Sequence, residues 1–168
     1  MIFRAPTVDA VTKFLLAVHV LAAIVAIGPV TVAASMFPPA ARRALEAPDD
    51  VRAAETLLLL HRICRVYALV GVVVPVFGFA TASNMHVLGS AWLIASIALT
   101  ALAALVLVAL VLPRQTALVE GGAAEQAAAG GGTRQATVRL AMFTGLFNLL
   151  WAVVTVLMVV RPGSTTGA

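Results

Sequence analysis

Four long apolar segments constrain the fold of this chain more than any other feature. They cover approximately residues 11–37, 66–82, 88–112 and 140–160. A helix needs roughly 17–25 apolar residues to cross the hydrocarbon core of a bilayer, and each segment is long enough. The chain is 62% hydrophobic and 11% charged, whereas a soluble domain is about half apolar and a quarter charged. The sequence therefore predicts one all-α domain of 168 residues, a membrane-embedded up-down bundle of four helices.

Prolines follow three of these segments. Pro38 and Pro39 come after the first, Pro113 after the third and Pro162 after the fourth. Proline lacks a backbone N–H, and its ring clashes with the preceding turn, so we expect the helices to stop there. The glycine- and alanine-rich stretch of residues 114–137 is predicted to be a flexible loop.

The second helix is predicted to begin well before its apolar segment. Asp49 or Asp50 follows a proline and is a suitable N-cap. A helix from there to Ala82 would be about 50 Å long, which exceeds a hydrocarbon core of about 30 Å. The sequence therefore predicts a cytoplasmic helical extension of the second span.

The start of the chain also fits a second interpretation. Arg4 and Lys13 precede the first apolar segment, and small residues at 32–35 would suit cleavage of a secretion signal. The apolar segment is nevertheless long enough to span a bilayer, which favours a retained helix.

Positive charges divide unequally between the two sides of the predicted bundle. One side carries Arg4, Lys13 and Arg161, whereas the other carries Arg42, Arg43, Arg52, Arg62, Arg65, Arg114, Arg134 and Arg139. Because cytoplasmic loops are enriched in Lys and Arg, we expect the second side in the cytoplasm and both termini outside. Ten arginines against one lysine suggest a GC-rich bacterial gene, and hence the bacterial cytoplasmic membrane.

The arginines near the start of the second span suggest the nature of one partner. Arg62 and Arg65 are predicted to extend to lipid phosphates, with His61 beside them. Without an aromatic–basic patch, anionic lipid headgroups are a better partner than nucleic acid. We therefore predict that His61, Arg62 and Arg65 lie at the lipid interface.

Residues near the predicted outer face are the candidates for cofactor chemistry. His19 lies within the first apolar segment, and Met85 and His86 lie in the short turn after the second. Imidazole and thioether together suit copper, and two imidazoles suit haem iron. His19 and His86 are therefore candidate haem b ligands, and His19, Met85 and His86 are candidate copper ligands. Alternatively, His19 is a neutral ring bonded to a neighbouring helix, and His86 is a solvated loop residue.

The fourth segment carries a polar stripe. Thr144, Asn148, Trp151 and Thr155 are spaced by four, three and four residues, which places them on one side of a helix. Such side chains usually join membrane helices by hydrogen bonds. We predict that Thr144, Asn148 and Thr155 pack helices together; a polar pathway for ions is the alternative.

Three stretches, "AVHVLAAIVAIG", "HRICRVYALVGVVVPVFG" and "WLIASIALTALAALVLVALVLPRQ", resemble an uncharacterised bacterial family of small four-helix membrane proteins, the domain-of-unknown-function family DUF2269. That family is distantly similar to the copper-resistance protein CopD and to HemJ, a haem-binding membrane oxidase. The resemblance covers about residues 14–160, and its histidine-to-glycine match is His19 to Gly28. It implies a membrane bundle and a metal or haem role for His19.

Three classes of function remain open at this stage. No C-x-x-C-H or H-E-x-x-H motif is present in the sequence, which favours a non-enzymatic bundle that binds partners or supports a membrane assembly. Its partners would be lipid, a second copy of the chain or another membrane protein. The first alternative is a haem- or copper-binding redox or metal-handling protein that uses His19. The second is a small transporter or channel.

Overall fold

In a computed structural model, residues 6–47, 49–121 and 133–163 are described, and the regular elements within these ranges are all helical. The bounds are Pro6–Glu46 (α1), Val51–Val70 (α2), Val73–Asn84 (α3), Ala91–Leu105 (α4), a π-helical segment Val106–Val111, Leu112–Val119 (α5) and Thr133–Val160 (α6). Together they form four apolar helical spans, over Ala10–Glu46, Val51–Asn84, Ala91–Val119 and Arg134–Val160. The prediction of an all-α four-helix membrane bundle is confirmed.

The spans pack around α1, which contacts α2, α3 and α6. α4 packs on α6, and α5 packs on α2. The main buried core lies toward the arginine-rich ends of the helices, where Phe37, Leu60, Val111 and Leu140 meet. Many large apolar side chains elsewhere are exposed, with Val159 at 77%. An apolar exterior is stable only where lipid replaces water as the solvent.

The first helix does not end at its paired prolines, contrary to the sequence-based prediction. α1 continues through Pro38 and Pro39 to Glu46, which gives it a length of about 60 Å. Each proline removes one backbone hydrogen bond. The turns around them are held by packing, because Phe37 and Ala41 are fully buried in the main core. Tertiary contact therefore outweighs the local preference of proline.

The third helix also passes its proline. The π-helical segment Val106–Val111 comes directly before α5, and the Leu112 N–H donates to the carbonyl of Leu107. Pro113 then falls in the first turn of α5, where proline is tolerated. Arg114 Nη1 donates to the carbonyl of Leu110 at 2.8 Å. Residues 114–119 and 133–137 are thus helical rather than loop, and residues 122–132 of the predicted loop lie outside the described residues.

The second span begins where expected and is interrupted once. Asp50 caps α2, and its side chain accepts from Arg52 N at 3.0 Å and Ala53 N at 3.3 Å. The interruption at Gly71, between α2 and α3, lies four residues before Pro75. A proline ring clashes with the carbonyl four residues before it, which explains the position of the break. The predicted helical extension of this span is confirmed.

Candidate functional site

His19 joins α1 to α3 inside the membrane span. Its Nδ1 lies 2.9 Å from the carbonyl oxygen of Val74, and the ring is 9% exposed. One turn further along α3, Gly78 provides the space for the ring. A Cβ atom added to Gly78 would lie 2.8 Å from His19 Cε1 and 3.2 Å from Nδ1. The imidazole therefore packs directly against the backbone of α3 at Gly78. A side chain at position 78 would occupy the space of the ring.

The bond to Val74 fixes the proton on one ring nitrogen. A carbonyl oxygen only accepts hydrogen bonds, so His19 Nδ1 carries the proton and donates. Nε2 makes no hydrogen bond within the described ranges. The same arrangement, Nδ1–H on a backbone carbonyl with Nε2 left over, is common for histidines that ligate metals. His19 thus joins α1 to α3 through Nδ1, while its Nε2 is without a hydrogen-bond partner among the described residues.

His86 lies beyond the end of α3, whereas His19 contacts the first half of that helix. The His19 ring contacts α3 at Val74 and Gly78, whereas His86 lies in the turn after α3 with a φ of 57°. His86 comes eight positions after Gly78, and the six helical steps from Gly78 to Asn84 alone cover about 9 Å. Met85 precedes His86 in the same turn. Within the described residues, no group of three His, Cys, Asp or Glu side chains is placed to hold a metal ion.

A second buried polar cluster joins α2 to α5. His61 Nδ1 lies 3.3 Å from Gln115 Oε1, and Gln115 Nε2 donates to Cys64 Sγ at 3.5 Å. The Thr116 hydroxyl lies 3.4 Å from His61 Nε2. Gln115 is fully buried and His61 is 8% exposed, and the Phe37 ring lies edge-on to the imidazole. The Gln115 amide therefore connects two side chains of α2 to α5 in a site shielded from solvent.

The cluster corrects the predicted lipid-interface site. Arg62 and Arg65 are exposed, as a headgroup contact would require, but His61 is buried and faces α5. Adjacent residues of a helix point about 100° apart, so Arg62 points away from the contact with α5 that buries His61. This contact cannot be predicted from the sequence, because Pro113 predicts the end of the third helix and thereby places Gln115 in a loop.

The polar stripe of α6 is used only in part for helix packing. Asn148 Nδ2 donates to Ser35 Oγ of α1 at 3.1 Å. Thr155 instead donates to the carbonyl of Trp151 on its own helix and is exposed. Thr144 is 3% exposed and its hydroxyl has no hydrogen-bond partner among the described residues. The stripe thus joins α6 to α1 at one position.

Comparison with known proteins agrees with this architecture. The profile of a family described as a predicted integral membrane protein, DUF2269, matches residues 13–162. The chain belongs to the DUF2269 family. No curated protein and no solved structure matches it. This DUF2269 chain is therefore a multi-pass integral membrane protein of four spans, and its helices contact the lipid bilayer.

Two contacts of this DUF2269 protein, Gly78 with His19 and Gln115 with His61, are not predicted from the sequence. In the sequence, Gly78 is one of several small residues of the second span, and nothing in its surroundings indicates that His19 packs against it. Gln115 lies 54 residues from His61 in the chain, so no local spacing connects them. The presence of polar residues within two different apolar spans could have predicted such a contact, because polar side chains in a membrane form hydrogen bonds between helices.

Proposed function

We propose that this protein is a non-enzymatic membrane bundle that binds partners or supports a membrane assembly. The observation that supports the proposal is the use of its intramembrane polar groups. His19, His61 and Asn148 each bond to a different helix, at Val74, Gln115 and Ser35. Polar side chains used in this way hold a bundle together. The partner is a second copy of the chain or another membrane protein.

A second candidate function is haem or copper binding through His19. The Nδ1–H bond to Val74 favours it, as does an Nε2 that has no hydrogen-bond partner in the part of the chain that the structure describes. His86 and Met85, near the far end of α3, would then belong to a different site or to none. A metal at His19 would take its remaining ligands from other groups.

One experiment separates the two functions. The protein is purified in a mild detergent, and its visible spectrum and metal content are measured for the wild type and for His19→Ala. The bundle proposal expects a colourless, metal-free protein whose His19→Ala variant is less stable by about 1–3 kcal/mol, the cost of one lost buried hydrogen bond and some packing. A Soret band or stoichiometric copper that His19→Ala abolishes would establish the second function instead.

We further propose that the arginine-rich ends of the helices face the cytoplasm of a bacterium. Arg43, Arg52, Arg62 and Arg65 are exposed there, and the positive-inside bias supports this orientation. The same arginines would contact anionic lipid headgroups. Both chain termini and the α3–α4 turn would then lie outside.

Cysteine labelling tests this orientation. In a Cys64→Ala background, Gly89→Cys places a thiol in the α3–α4 turn, where an added Cβ meets no atom within 4 Å. Glu120→Cys places one at the exposed arginine-rich end. A membrane-impermeant maleimide added to spheroplasts should label Gly89→Cys, and should label Glu120→Cys only after permeabilisation. The reverse pattern would contradict the proposed orientation.

A further inference from the structure

Three polar atoms on one face of α6 are buried without a hydrogen-bond partner among the described residues. They are Thr144 Oγ1, Asn148 Oδ1 and Trp151 Nε1. Spacings of four and three residues place them along one face, over about 10 Å of helix. Thr144 is 97% buried, given an exposure of 3%. The stripe therefore offers two donors and one acceptor that nothing described in this chain uses.

This pattern is unusual for a membrane helix. Unpaired polar groups are costly in any protein interior, and a bilayer supplies no water to relieve them. Hydroxyl groups in helices commonly bond to the carbonyl four residues earlier, as Ser96 does to Trp92 and Thr155 does to Trp151, both at 2.8 Å. Thr144 has no such bond. Its hydroxyl is available for a partner outside the helix.

The stripe reaches lipid at the boundary between α1 and α6. Asn148 is half-buried, and its Nδ2 donates to Ser35, an exposed residue of α1. This hydrogen bond is exposed and lies at the lipid-facing edge of the stripe. A molecule dissolved in the membrane could replace it and reach Thr144 and Trp151 from the side. Asn148 lies near the middle of Arg134–Val160, well away from the depth of phospholipid ester groups.

We propose that Thr144, Asn148 and Trp151 form a lateral binding site for an isoprenoid quinone, a lipid-soluble ring that carries two carbonyl oxygens and, when it is reduced to the quinol, two hydroxyls. The Thr144 hydroxyl and the Trp151 indole N–H donate to carbonyl oxygens. Asn148 Oδ1 accepts from a hydroxyl of the reduced quinol. The half-buried Trp151 ring, which packs edge-on against the buried Phe147 ring with centroids 6.3 Å apart, supplies an aromatic surface for the ring of the ligand. Solubility in the bilayer interior matches the depth of the site.

Tryptophan fluorescence tests the site directly. Trp92→Phe leaves Trp151 as the single tryptophan, and this variant in nanodiscs is titrated with ubiquinone-2, a ring that quenches indole emission. We expect saturable quenching. Adding Thr144→Val, which keeps the side-chain shape, should weaken binding about tenfold, as expected for one lost hydrogen bond. Thr155→Val is the matched control and should bind as tightly as the parent, because that hydroxyl is bonded to its own helix.

Three results would overturn the proposal. The first is quenching that rises linearly with quinone and never saturates. The second is equal affinity for Thr144→Val and Thr155→Val. The third comes from nitrogen-15 NMR of the Trp151 indole without quinone: contact with water, or a shift when ester lipids are replaced by ether lipids, would identify water or a lipid carbonyl as the occupant. Folding of Thr144→Val is checked by its stability without quinone, which should match or exceed that of the parent because an unpaired hydroxyl is removed.

Discussion

Gly78→Ala is expected to destabilise the bundle by about 1–3 kcal/mol, the range for overpacking a close contact. The new Cβ would lie 2.8 Å from His19 Cε1, a separation that real side chains do not tolerate. The imidazole or α3 must move, and the bond between His19 Nδ1 and Val74 O at 2.9 Å would be strained or lost. Alanine favours a helix over glycine by about 1 kcal/mol, so the measured loss is net of that gain. Unfolding in mixed micelles by SDS titration measures it.

Gly145 is a matched control for this substitution. It lies within the helix α6, and a Cβ added to it meets no atom within 4 Å. Gly145→Ala should therefore be neutral or stabilise the protein by up to about 1 kcal/mol. Equal effects of Ala at positions 78 and 145 would contradict the contact between Gly78 and the His19 ring.

The double variant His19→Ala, Gly78→Ala isolates the contact itself. His19→Ala removes the ring, so the methyl group at position 78 then enters free space. The double variant should be more stable than the sum of the two single losses predicts, with a coupling of about 1–2 kcal/mol, typical of residues in contact. Additive losses would show that alanine at position 78 acts elsewhere on α3.

The main architecture follows from sequence because it depends on long apolar segments. Each of the four spans needs only length and a low charge content, and these properties can be read directly from the chain. The capped start at Asp50 is also local, since the cap bonds to residues two and three positions further on. Such local features can be predicted without knowledge of the neighbouring helices.

The ends of helices at proline were harder to predict because packing competes with local preference. Pro39 lies inside α1 because the adjoining turns are buried against α2. Pro113 is accommodated by the π-helical segment that precedes it. In both places proline destabilises the helix, as expected from its missing N–H and its ring. Contacts between helices that are distant in the chain outweigh that cost.

The polar contacts could be predicted in kind but not in pairing. A histidine inside an apolar span is expected to find a hydrogen-bond partner, and His19 does. Its partner is the backbone carbonyl of a residue in α3. Because every residue has a backbone carbonyl, the sequence does not indicate which one His19 binds. His61 finds Gln115 for a similar reason: the pairing depends on how α5 continues the third span past Pro113.

Gln115→Leu should cost about 2–3 kcal/mol of stability, even though leucine has a similar size and suits a buried position. The amide bridges His61 and Cys64 between α2 and α5. Removing it leaves the His61 Nδ1–H buried without a partner, and an unsatisfied buried group costs about 1–3 kcal/mol. Gln135→Leu is the matched control, because Gln135 is exposed on α6 and its loss should change stability by less than about 0.5 kcal/mol.

The double variant His61→Leu, Gln115→Leu decides whether the cluster stabilises the bundle by hydrogen bonding or by filling space. If the cost of Gln115→Leu comes from the stranded imidazole, replacing that imidazole as well should recover most of the loss, because exchanging both partners for apolar groups of similar shape is close to neutral. The Thr116 hydroxyl keeps its bond to the carbonyl of Leu112 at 3.1 Å in that variant, so it is not stranded in turn. A double variant no more stable than Gln115→Leu alone would mean that the shape of the two side chains, rather than their hydrogen bond, holds α5 against α2.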